Sequence, residues 1–183
     1  MRILISSLML AALANAPAIA ATDNDSVNKL DLLFAKLHEE QSSAYSKLIE
    51  MQIWSVWATN NTPEAVDELS IASGALSNGE LSHAEAMLDS LIRVHPEFAE
   101  AWNRRATLYF KEGRYAESLL DIAHVLDLEP RHFGALSGKS MCMQAMGNSP
   151  DALRAMKEAY AINPNLDGLK LRIEQLEKIY PDL

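Results

Sequence analysis

The 183-residue chain carries 16 Lys+Arg against 25 Asp+Glu, a formal net charge of −9, with 49% hydrophobic residues. That balance argues against a nucleic-acid binder, which needs a basic footprint, and against adsorption to anionic lipid. Seven glycines and seven prolines are too few for a disordered or fibrous chain, and the length suits one domain with its own core.

The first twenty residues read as a signal peptide. Arg2 precedes an apolar run, ILISSLMLAALA, at 3–14, and Ala18 and Ala20 form the small-x-small pattern of a cleavage site after Ala20. An apolar run of about twelve residues falls short of the roughly twenty needed to span a bilayer. No stable membrane insertion is expected after cleavage. Removing 1–20 takes away Arg2 and no acid, so the mature chain is more acidic still. Cys142 is the single cysteine. An exported chain with one thiol has no internal disulfide, and the fold must hold by packing. Cys142 reads as a small buried hydrophobe, with a reactive thiol or an intermolecular bridge as the alternative.

Two amphipathic helices follow, SVNKLDLLFAKL at 26–37 and QSSAYSKLIEMQIWSVW at 41–57, with Asp25 or Ser26 as an N-cap. Trp54 and Trp57 lie within about 60° of one another at 100° per residue. Core packing is favoured for them over an exposed aromatic platform. ATNNTPEA at 58–65 reads as a polar connector.

From residue 65 the chain repeats with a period of 34. Gly79, Gly113 and Gly147 share one column, and Pro96, Pro130 and Pro164 another. Two columns hold small residues, Ala72/Ala106/Ser140 and Ala84/Ser118/Ala152, and two hold apolar ones, Leu88/Ile122/Met156 and Leu91/Val125/Ala159. The units are 65–98, 99–132 and 133–166. The glycine supplies a positive φ where one helix ends and the chain turns back. The proline ends the second helix of the unit. Small residues let the paired helices approach, and stacked hairpins bury a continuous core. Leu169, Ile173, Leu176 and Tyr180 stand at helical spacing, so 167–183 reads as a C-terminal capping helix. Carried backward, the register puts Phe34, Leu37, Trp54 and Trp57 in apolar columns. It also puts Glu50 in a small column and supplies no turn glycine, so 21–64 reads as a degenerate repeat acting as an N-terminal cap, with its connector. The expected fold is all-α.

The middle unit, with Trp102, Ala106, Tyr109, Gly113, Tyr115, Ala123, Val125 and Pro130, resembles the tetratricopeptide repeat (TPR). Ser118 stands where that family usually has alanine, and Arg105 and Lys139 occupy a column where it prefers leucine. The run AWNRRATLYF is similar to small exported TPR proteins of the alphaproteobacterial cell envelope. The resemblance implies a helical-hairpin solenoid and a periplasmic adaptor in envelope maintenance or assembly, binding a protein or peptide in its concave groove. The alternative is a holdase-like or assembly chaperone for secreted or outer-membrane clients.

Catalytic signals are missing. LHEEQ at 37–41 lacks the second zinc-binding histidine, since Ser42 stands there, and the five histidines show no ligand spacing with Cys142. No enzyme activity, metal or cofactor is expected. His95 and His132 read as loop or rim side chains. The run MCMQAM at 141–146 reads as core, with an adaptable binding surface as the alternative. By family position the groove shows Val66, Leu69, Ser73 and Leu76 from the first unit, and Ser137, Met141 and Gln144 from the third. The middle unit contributes Glu100 and the candidate partner-binding residues Asn103, Arg104, Thr107, Phe110 and Lys111. Asn103 offers hydrogen bonds to a peptide and Phe110 an exposed ring. Arg104 or Lys111 offers an ion pair, unless these cations merely pair with Glu100 or Glu112. The carboxylate clamp by which one TPR subclass holds chaperone tails is absent, because Leu69, Ser73, Gly134 and Gly138 occupy its places and leave Arg104 as the single cation.

Overall fold

The structure is a computed structural model and describes residues 19–39 and 43–182. The described residues form nine helices and no strand: α1 (Ile19–Glu39), α2 (Ser43–Thr59), α3 (Pro63–Asn78), α4 (Leu81–Val94), α5 (Ala99–Lys111), α6 (Tyr115–Leu128), α7 (Phe133–Ala145), α8 (Ser149–Ile162) and α9 (Leu169–Glu177). The leader read at 1–20 lies, up to residue 18, outside the described residues. α1 runs through Asp25 and Ser26, so neither caps it; the Ser26 hydroxyl instead donates to Asn60 Oδ1 at 2.8 Å. The connector shrinks to 60–62, because Thr62 caps α3 with its hydroxyl on the Ala65 amide and Pro63 takes the first turn.

Three hairpins, α3/α4, α5/α6 and α7/α8, stack in order. Each first helix ends at a glycine of the 34-residue column, with φ of 81° at Gly79 and 77° at Gly113 and Gly147. At Gly113 the closure is a Schellman motif: its amide donates to Phe110 O at 3.0 Å, and the Arg114 amide donates to Tyr109 O at 2.8 Å. The small columns lie where helices approach. Ala72 and Ala84 are fully buried, and the Ser118 hydroxyl donates to Ala106 O at 2.8 Å across α5 and α6. Serine therefore replaces alanine there without leaving a buried hydroxyl unpaired. Cys142 packs beside it as a buried free thiol, its Sγ 3.3 Å from Ser118 Oγ, and burial pushes that thiol above its ordinary range.

Leu69, Leu88, Leu91, Phe98 and Leu108 form the core of the first hairpin and its neighbour, and Ala106, Ile122, Val125 and Cys142 continue it. Fully burying each large aliphatic contributes about 1.5–3 kcal/mol. Leu153 and Met156 of α8 meet Ile173 and Leu176 of α9, which closes the C-terminal end of the solenoid, with Lys157 and Glu177 paired at 2.7 Å on the rim.

Arg105 explains its own departure from the leucine column. Its Nε and Nη2 donate to both oxygens of the buried Asp121 at 2.8 Å, and Nη1 donates to Asp89 at 2.7 Å. The guanidinium also lies 5.0 Å from the Trp102 ring centroid and 5.6 Å from that of Tyr109. One cation thus ties α4, α5 and α6 together, and its proton is held more firmly than usual, chiefly by Asp121.

The N-terminal pair departs from simple continuation of the stack. Leu30, Leu33, Phe34, Leu37, Ile53, Val56 and Trp57 form their own apolar cluster. The partners of that cluster are Phe133, Ile162 and Leu166, with no residue of α3 or α4. Glu50 in a small column blocks the close approach a stacked repeat needs. α2 stays beside α3 and α5, but the apolar side chains of the pair reach across to the start of α7 and the end of α8, fastened by Arg131–Asp31 at 2.6 Å and Lys47–Asp167 at 3.1 Å.

Candidate functional site

The 34-residue register lays α3, α5 and α7 side by side, so that groove positions form rows across them. One end of the groove is covered. Its row is Val66, Glu100 and Gly134, and Glu100 is 0% exposed. The Glu100 carboxylate is a hub: Oε1 pairs with Arg104 Nη2 at 2.7 Å, and Oε2 accepts from Asn103 Nδ2 at 3.0 Å and from His132 Nε2 at 3.2 Å. The Ala135 amide donates to His132 Nδ1 at 3.0 Å. That bond makes Nδ1 the acceptor and puts the proton on Nε2, facing Glu100.

His132 is thus a buried N-cap of α7, not a rim side chain. Trp57 stacks on it with centroids 4.0 Å apart and planes at 14°, and Trp54 meets it edge-on at 5.2 Å. Gly134 makes room for this. A Cβ there would lie 2.3 Å from the tip of the Trp54 ring. Trp54 and Trp57 are therefore core groups of the N-terminal pair, with Trp57 buried.

The other end of the groove is open. Thr107 and Lys111 of α5 are exposed, and so are Met141 and Ala145 in the same rows on α7 and Ser77 on α3. Phe110 is half-buried between them, its ring 5.6 Å from Tyr115. The five candidate residues thus divide. Thr107, Phe110 and Lys111 line the open end, although the Thr107 hydroxyl bonds back to Asn103 O at 2.9 Å. Asn103 is buried at the covered end with its amide on Glu100, and Arg104 is half-exposed and paired with Glu100. Gln144, in the Phe110 row, holds a buried Nε2 with no hydrogen-bond partner in the protein. The MCMQAM run does not read as core throughout: Cys142 is buried, while Met141 is 49% and Met146 54% exposed.

Sequence reasoning missed the Glu100–His132 hub and the Gly134 slot. One signal was present. Phe98, His132 and Leu166 share a column, and the buried Phe98 marks it as an inward position. Among the described residues, no three His, Cys, Asp or Glu side chains gather as a metal ligand set, and no helix is long and apolar enough to cross a membrane.

A family profile described as tetratricopeptide repeat matches residues 69–126. A TPR repeat-containing protein of Rhizobium etli is 37% identical over 136 residues, which cover 74% of this chain and 67% of the relative. Among solved structures, the first TPR of Spaghetti (RPAP3) bound to the HSP90 peptide SRMEEVD has a TM-score of 0.61 at 14% identity, covering 67% of this chain and 97% of that one. The type III secretion translocator chaperone SycD of Yersinia enterocolitica has a TM-score of 0.59 at 11% identity, covering 68% and 99%. A MamA RS-1 double mutant has a TM-score of 0.58 at 13% identity and covers 86% of each chain.

Proposed function

The chain belongs to the tetratricopeptide-repeat family, and from that premise we propose that it is a non-catalytic interaction module that holds a segment of a protein partner on the concave face of α3, α5 and α7. One observation carries the reading: Thr107, Lys111 and Met141 stand exposed in adjoining rows around the half-buried Phe110 ring, above a Gln144 amide without a protein partner. An apolar floor with a few convergent polar groups suits an extended or helical peptide. Phe110 supplies apolar contact, Thr107 and Gln144 hydrogen bonds, and Lys111 or Arg104 an ion pair with an acidic group. Asn103 orders the covered end through Glu100.

A partner held by its C-terminal carboxylate is not proposed, because Leu69, Ser73, Gly134 and Gly138 stand where the carboxylate-clamp subclass is expected to carry its clamp residues. The leader-like residues 1–20 support export, and the proposed role is that of a periplasmic adaptor in envelope maintenance or assembly. The exposed Met141 and Met146 favour a second reading, a holdase-like chaperone, because flexible thioethers adapt to varied apolar segments.

Replacement of Phe110 by alanine tests the groove. It should weaken a bound partner by about 1–4 kcal/mol, and Lys111→Ala should add a loss that shrinks at high salt. Unchanged affinity in both variants, with the fold intact by circular dichroism, would move the site elsewhere. Binding to unrelated unfolded chains as tightly as to one partner would select the chaperone reading. Protein from the envelope fraction should begin at Ala21; Met1 retained on cytosolic protein would end the export proposal.

A further inference from the structure

We infer that α1–α2 is a displaceable lid, and that its removal opens a slot for a partner helix carrying two aromatic residues three apart. The inference rests on the concave face being the binding face, and it names the chemistry of that face's covered end.

Three observations carry it. First, the lid has a core of its own. Its apolar cluster meets the array through Phe133, Ile162 and Leu166, while α3 to α6 bury their side chains in two other clusters. The side-chain clusters of α3 to α6 therefore contain no lid residue, and what the lid uncovers on leaving is Phe133, Ile162 and Leu166 of the third hairpin.

Second, the lid sits where a partner belongs. Glu100 and Gly134 are groove positions by the repeat register, and Trp54 rests against Gly134 while Trp57 stacks on His132, which reaches Glu100. A glycine whose Cβ would lie 2.3 and 2.7 Å from the Trp54 ring forms a slot shaped for an aromatic side chain.

Third, the closed seam is imperfect. On the inner face of α2, Ser46 Oγ, Glu50 Oε1 and Trp57 Nε1 are buried without a hydrogen-bond partner in the protein. Asn163 Nδ2 and Asn165 Nδ2 share that state between Ile162 and Leu166, the residues the lid packs on. These atoms add no hydrogen bond within the protein to the closed state. The fastenings at its rim, Arg131–Asp31 and Lys47–Asp167, involve exposed acids, and exposed ion pairs hold weakly.

The lid's own helix shows what fits: Trp54 and Trp57 on one face, with Ile53 and Val56 beside them. A partner helix with the same aromatic spacing competes for the slot. Its apparent affinity is the intrinsic affinity multiplied by the fraction of molecules that are open.

Two measurements on the full chain test this. Hydrogen exchange of the parent should show α1–α2 amides exchanging at least tenfold faster than those of α4 to α6; equal protection across all of them would make the lid part of one cooperative fold and overturn the inference. In the second, a fluorescein-labelled peptide of residues 43–59 is titrated by anisotropy. It should bind Trp54→Ala/Trp57→Ala protein at least tenfold tighter than the parent, and Gly134→Leu in that background should abolish the gain. Equal weak binding by parent and double variant, with α4 to α6 still protected, would overturn it. Collapse of that protection in the double variant would equally overturn it, since the array would then depend on the lid. Peptide binding at the slot is independent of Phe110 and Lys111, so failure here leaves the open-end site testable, and failure there leaves the slot.

Discussion

Arg105→Leu should be among the most damaging single changes in the array, although it installs the residue the family prefers in that column. Asp121 is 4% exposed, and its two oxygens each receive a 2.8 Å bond from Arg105. Leucine replaces the packing of the arginine stem but leaves that carboxylate buried and alone, which costs about 3–5 kcal/mol. The Asp89 arm adds little, because that side chain is 50% exposed and such pairs contribute about 0–1 kcal/mol. Loss of the contacts with Trp102 and Tyr109 removes on the order of 0.5–1 kcal/mol each. Against a total stability of about 5–15 kcal/mol, the sum is a large fraction. Urea unfolding followed by helical circular dichroism reads the loss. The companion variant Arg105→Leu/Asp121→Leu should recover most of it, because apolar residues of similar volume replace a buried ion pair at little or no net cost. A single variant within about 1 kcal/mol of the parent, or a double variant no better than the single, would refute the assignment of Arg105 as the tie between α4, α5 and α6.

Other perturbations follow the same logic. Gly113→Val should destabilise by about 1–3 kcal/mol through backbone strain alone, since φ is 77° and nothing lies within 4 Å of the added Cβ; Gly113→Ala should cost less, and a valine variant with the parent's melting temperature would contradict the turn assignment. Trp57→Ala should remove about 3–5 kcal/mol from the N-terminal pair, read as lost protection of α1–α2, and full protection would contradict its place in that cluster. Cys142 should resist thiol reagents at pH 8 until the chain unfolds. Burial raises its folded value above the unfolded one, so the neutral thiol's contribution to stability is complete below the unfolded value and declines as pH rises past it. Fast modification of native protein would contradict its burial.

The array was legible because backbone geometry dictates its period. A turn needing positive φ recurs as glycine, and helices in close contact recur as small residues. Arg105 was less legible as a cation in a leucine column. Its partners were nonetheless placed symmetrically, with Asp89 sixteen residues before and Asp121 sixteen after. The lid was not legible. Trp54 meets Gly134 across eighty positions, and neither a heptad nor the 34-residue period relates them. The candidate residues all lie on α5, as their spacing implied, but the division between a covered and an open end depends on where α2 lies. The burial of Asn103 follows from the Glu100–His132 bond, which joins two different units.

The most direct test of partner binding on the concave face is site-specific photocrosslinking in cells, with a photoreactive residue at Thr107 on α5 or at Leu120 on α6, both exposed. Adducts to a defined protein should form at least tenfold more from position 107, and Phe110→Ala should remove them. Equal or stronger adducts from position 120, or adducts from 107 that persist without the Phe110 ring, would contradict the account.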